Sequence, residues 1–135
     1  MRKLFLAISA IVTLAFIAGP TLAEPPMPTG TISINQSDLR YNGYVSFNTT
    51  VEGRVNNQAF LYTRLVCWTD PGDVVFQAAS RDLEFTYLLT DQSGQGLDWQ
   101  PDEVPATCQA DLVYRVEKPK NMIIQPLDSV LFTVN

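Results

Sequence analysis

From Thr31 onward the apolar residues of this chain recur at every second position, in segments bounded by turn residues. Ile32 and Ile34 alternate with Thr31, Ser33 and Asn35, and Val45, Phe47, Thr49 and Val51 alternate with Tyr44, Ser46, Asn48 and Thr50. A period of two puts one set of side chains on one face of a strand, whereas an amphipathic helix needs 3.6. Residues 60–68 are apolar on both faces and read as a buried strand. In the turn Asp70-Pro71-Gly72-Asp73, proline presets φ and glycine follows it. A short run, Val74-Val75-Phe76, comes next, and then Leu83, Phe85, Tyr87 and Leu89 alternate with Glu84, Thr86 and Thr90. A long polar segment, residues 91–105, leads to a half-buried strand at residues 106–114, and residues 118–128 lead to Val130, Phe132 and Val134. Seven short strands at this spacing predict an all-β fold, an antiparallel β-sandwich.

The N-terminus departs from this pattern. Arg2 and Lys3 precede an uncharged, largely apolar run over residues 4–18, and small residues Thr21 and Ala23 precede the first acid, Glu24. This is the three-part pattern of a cleaved secretory signal peptide, residues 1–23. The alternative, a membrane anchor, needs a run of roughly 20 apolar residues, longer than this one. Residues 24–30 hold Pro25, Pro26 and Pro28 and read as a stiff, extended leader. Residues 31–135 then form one domain of about a hundred residues, an ordinary size. The expected location is outside the cell or on its surface, with no membrane insertion after processing.

Charge narrows the partners. Without Arg2 and Lys3, Lys plus Arg falls from 9 to 7 against 14 Asp plus Glu, so the net charge moves from −5 to −7. Nucleic acid and anionic lipid are not expected partners, since both recruit cationic surfaces. Two cysteines in an exported chain, Cys67 and Cys108, are most simply one disulfide. With no histidine in the chain, a zinc site or an ordinary catalytic triad is not expected, and neither Gly-x-Ser-x-Gly nor a phosphate-cradling glycine motif is present. The chain reads as a non-enzyme without an organic cofactor.

The stretch Ala106-Thr107-Cys108-Gln109-Ala110-Asp111-Leu112 resembles the sixth strand of immunoglobulin-like domains. The resemblance implies two sheets, one containing the second and fifth strands and the other the third, sixth and seventh. Two residues depart from the antibody type. The second-strand position expected to carry a cysteine is Phe47, and the tyrosine expected two residues before Cys108 is Ala106. Because the third and sixth strands are neighbours in such a fold, the resemblance implies a Cys67–Cys108 staple within one sheet. The segments Gly30-Thr31-Ile32-Ser33-Ile34-Asn35-Gln36-Ser37-Asp38, Tyr41-x-Gly43-x-Val45-x-Phe47, Val66-Cys67 and Ala106-Thr107-Cys108 are similar to small secreted immunoglobulin-like proteins of actinobacteria and their phages. That similarity implies a surface or secreted binding role and no active site.

Three candidate sites follow from this arrangement. If Leu61, Thr63, Leu65 and Cys67 point inward, then Phe60, Tyr62, Val66 and Trp68 point outward beside Val113 and Leu131, and such a patch marks an interaction surface, the alternative being that strand twist, a bulge or a neighbouring loop covers these side chains. It is also a surface for self-association. Trp99, flanked by Asp98 and Gln100 on a loop, is a second candidate for protein or sugar contact, its alternative being to fold back and plug the end of the sandwich. The third is a pole of acids from separate loops: Asp38, Asp70, Asp73, Asp91, Asp98, Asp102 and Glu103. Converging carboxylates suit calcium, which takes oxygen ligands, with Asp70, Asp73, Asp91, Asp98, Asp102 and Glu103 as the set; ordinary solvated turns are the alternative. The sequons at Asn35 and Asn48 would be glycosylated only in a eukaryotic secretory route.

The expected function is a secreted, non-enzymatic binding or adhesion module for a protein or glycan. Its alternatives are a purely structural surface protein and a small-molecule carrier similar to the acidic secreted apoproteins that shelter enediyne antibiotics.

Overall fold

The computed structural model describes residues 26–69 and 72–135. The expected signal peptide, the first two residues of the expected leader and the Asp70-Pro71 half of the expected turn lie outside the described residues. Seven strands follow in order: β1 (Thr29–Ile34), β2 (Tyr44–Glu52), β3 (Ala59–Thr69), β4 (Asp73–Ser80), β5 (Phe85–Leu88), β6 (Ala106–Glu117) and β7 (Met122–Val134). They form two antiparallel sheets, a three-stranded one in the order β1-β2-β5 and a four-stranded one in the order β4-β3-β6-β7. The chain is an antiparallel β-sandwich.

The period-two pattern explains which side chains meet between the sheets. Val45 and Phe47 of β2, Ile32 of β1 and Phe85 of β5 face Leu65 and Cys67 of β3 and Cys108, Ala110 and Leu112 of β6, all buried in one cluster. Phe47 stacks on Phe85 at 4.7 Å between ring centroids and meets Phe132 at 5.9 Å, which ties the two sheets together. Gly30 lets β1 approach closely. A Cβ there would lie 2.6 Å from a Leu112 methyl and 2.9 Å from the Thr50 carbonyl; β1 itself starts at Thr29, paired with Glu52, inside the segment expected to be leader.

β4 and β7 extend furthest beyond their apolar patterns. β4 runs on from the Val74-Val75-Phe76 stretch through Gln77-Ala78-Ala79-Ser80, because its partner β3 continues to offer backbone groups there. β7 begins at Met122 rather than near Val130, pairing from Glu117↔Met122 onward. Its alternation is interrupted by Pro126 and by a register shift opposite Leu112/Val113. Proline is tolerated there because β7 is an edge strand whose outer N–H groups need no ladder partner.

Side chains cap other edges. Asp128 of β7 accepts the Ile32 N–H of β1 at 2.9 Å, and Gln92 Oε1 accepts the Gln77 N–H of β4 at 2.9 Å. Such plugs satisfy donors that would otherwise invite another strand.

Candidate interaction surface of the four-stranded sheet

Cys67 and Cys108 are directly paired in register across β3 and β6, with Cα atoms 4.0 Å apart, and they form a disulfide. Both are fully buried, so the bridge staples two neighbouring strands of one sheet on its core side. The opposite parity of these strands builds the outer face. From β3 it carries Phe60, Tyr62, Arg64, Val66 and Trp68, and from β6 it carries Gln109, Asp111, Val113 and Arg115. From β7 it carries Met122, Ile124, Pro126, Ser129 and Leu131, the last 65% exposed.

Of the residues expected on this surface, Phe60, Tyr62, Val66 and Trp68 are half-buried and Leu131 is open. Val113 is a correction. It faces outward in register yet is only 1% exposed, because it lies on a central strand between Tyr62 of β3 and Pro126 of β7. Trp99 is a second correction, for it is fully buried. It plugs the end of the sandwich, edge-on to Tyr41 at 5.3 Å and to Phe76 at 6.0 Å, and the Tyr41 hydroxyl donates to its carbonyl at 2.9 Å. A tryptophan so placed has no surface to offer a partner.

The centre of the outer face is an ion pair that apolar patterning does not reveal. Arg64 donates from Nε at 3.2 Å and from a terminal nitrogen at 2.6 Å to one oxygen of Asp111. The other oxygen accepts Gln109 Nε2 at 2.6 Å and the Ser129 hydroxyl at 2.7 Å. Asp111 is 3% exposed, a burial that penalises a charge unless it is hydrogen-bonded. Burial pushes its carboxyl up; the hydrogen bonds from Gln109, Ser129 and Arg64, with the Arg64 charge, outweigh that and hold it below the ordinary aspartate value. The signal in the sequence was an arginine and an aspartate at outward positions of two strands that turn out to be partners.

At the β3–β4 side of the same face, Phe60 lies under two guanidinium groups, Arg81 at 4.5 Å and Arg115 at 5.3 Å from the ring centroid. With Tyr62, Ala79 and Ser80 they line an open depression of about 350 Å³. Arg115 pairs with Glu117 at 2.9 Å through a terminal nitrogen, and its Nε is buried without a partner among the described residues.

The acidic pole is built differently. Asp91 Oδ1 accepts the backbone N–H groups of Ser93 at 3.0 Å and Trp99 at 3.2 Å, and Oδ2 accepts the Ser93 hydroxyl at 2.7 Å. The Ser93 side-chain bond chiefly, with the Trp99 backbone bond, lowers its pKa. Glu103 accepts the Gln100 N–H at 2.8 Å, Asp98 accepts the Gln100 side-chain amide, and Asp38 pairs with Arg40 at 2.9 Å. Asp73 opens β4 and Asp102 stands in a turn, both exposed. Among the described residues no three acids are grouped to hold a metal, and Asp70 lies outside them. Asp38, Asp91, Asp98 and Glu103 spend their oxygens on contacts within their own loops, and Asp91 in particular ties the 3-10 turn Ser93–Gln95 to the chain that carries Trp99.

Fold and surface together define an all-β sandwich stapled by one intrasheet disulfide, with a mixed apolar and charged outer face. No family model, curated protein or solved structure matches this chain. No helix among the described residues is long and apolar enough to cross a membrane.

Proposed function

We propose that the chain is a secreted, non-enzymatic immunoglobulin-like module that binds a protein or glycan at the cell surface or outside the cell. Its resemblance is to the small immunoglobulin-like proteins of actinobacteria and their phages. The reading rests chiefly on one observation: Leu131, Ile124 and Met122, all open to solvent, share the outer face of the four-stranded sheet with Phe60, Tyr62, Val66 and Trp68. Exposed apolar groups gathered on one face mark interaction surfaces. The buried disulfide and the cleavable N-terminal pattern support an oxidising, exported setting. The absence of histidine from the chain supports a non-catalytic role.

The test is retention. Immobilised protein is exposed to culture medium and cell-envelope extract, beside the variants Leu131→Glu on the outer face and Thr86→Glu on the three-stranded sheet. A macromolecule held by the wild type and by Thr86→Glu, and released by Leu131→Glu, is the expected result. Equal retention by all three contradicts the reading.

A further inference from the structure

The depression around Phe60 differs from the rest of the outer face. It gathers two arginines on a chain with an acidic excess, and it adjoins a strand edge that is open. Gln77 sends its N–H away from β3 to Gln92, so it belongs to the outward-turned backbone positions of β4. In an antiparallel ladder that orientation recurs at every second residue. Ala79 therefore presents its N–H and C=O to the free edge, and no hydrogen bond among the described residues occupies them. The plug at Gln77 leaves the edge open only beyond it.

Ala79 pairs with Arg64 and so lies on the outer face, where its short side chain leaves a path from the edge to the depression. We infer that this corner takes an extended acidic peptide segment: its backbone adds to β4 at Ala79, and a glutamate or aspartate side chain passes over Ala79 to place its carboxylate between Arg81 and Arg115. Strand addition satisfies the open backbone groups, and a pocket beside the edge reads alternate side chains. Guanidinium groups suit carboxylates because they donate in a planar fork. Arg81, exposed and in no ion pair among the described residues, supplies that fork, while Arg115 keeps one contact to Glu117. A peptide fits better than a sugar because Arg81 lies over the Phe60 ring and covers the surface on which a sugar would stack. The inference rests on the outer face being the binding surface.

The probe is a labelled peptide of about six residues alternating valine and glutamate, which spans one strand. Its counterpart with glutamine for glutamate and a galacturonate oligomer serve as comparisons, with fluorescence anisotropy as the readout. The glutamate peptide is expected to bind more weakly as salt rises and to lose about tenfold or more in affinity with Arg81→Gln or against the glutamine peptide. Ala79→Pro, which removes the edge donor, is expected to weaken it similarly, with an unchanged melting temperature certifying both folds. No binding of the glutamate peptide at millimolar concentration, or equal binding of the glutamine peptide, overturns the inference. So does Arg81-dependent binding of galacturonate without binding of the peptide. Partner retention lost in Leu131→Glu but kept in Arg81→Gln also overturns it while leaving the outer face as the binding surface; retention kept in both overturns the face itself.

Discussion

Asp111 carries a charge at a position where burial alone would forbid one, and four donors explain how. Replacing it with alanine leaves Arg64 without its acceptor and is expected to destabilise the fold by about 1–3 kcal/mol, measured by chemical denaturation. Its folded-state pKa lies below the unfolded value, so the stabilisation is complete above the ordinary aspartate value of 3.8 and is lost as pH falls through the lower, folded-state value. A denaturation series from neutral to acid should show the difference between wild type and Asp111→Asn shrinking only in that acidic window. Trp99 is the converse case, an apolar group where the sequence allowed a polar setting. Its neighbours Asp98 and Gln100 suggested a surface loop, but the residues that bury it, Tyr41 and Phe76, come from distant parts of the chain. Trp99→Ala is expected to cost about 3–5 kcal/mol. Ligand contact by Trp99 would instead leave the unfolding midpoint unchanged.

Strands whose two faces differ in polarity were legible from alternation, and β1, β2 and β6 were located that way. The second half of β4 and the first half of β7 were not. Gln77-Ala78-Ala79-Ser80 has little apolar contrast, and Pro126 with Asp128 breaks the period in β7. Those residues make sense only once their neighbours are known, since Pro126 sits on an edge and Asp128 answers a donor on β1. Likewise the outer-face row was readable from parity, whereas the burial of Val113 depended on which side chains flank it across two strand pairings. Asp128→Ala removes the acceptor of the Ile32 N–H and is expected to cost about 1 kcal/mol, with faster hydrogen exchange at the Ile32 amide. An unchanged exchange rate there would mean that the edge is protected by something else.

For the whole molecule, the Cys67–Cys108 bridge joins residues 41 apart in sequence and braces β3 against β6. In the chain-entropy account such a closure contributes about 4 kcal/mol, so replacing both cysteines with alanine should lower the unfolding free energy by up to that amount while leaving the strand pairing intact. The brace lies directly behind the face that carries Tyr62, Val66 and Trp68, which keeps that face in a fixed register. Rigidity of this kind lowers the entropic cost of binding. The central claim is that partners meet the molecule on the outer face of the four-stranded sheet. Hydrogen exchange of the protein, alone and with the macromolecule it retains, tests this directly. The account predicts new protection along β4 and β7, the two edges of that sheet, with the β1-β2-β5 sheet unchanged. Protection confined to the β1-β2-β5 sheet would contradict it.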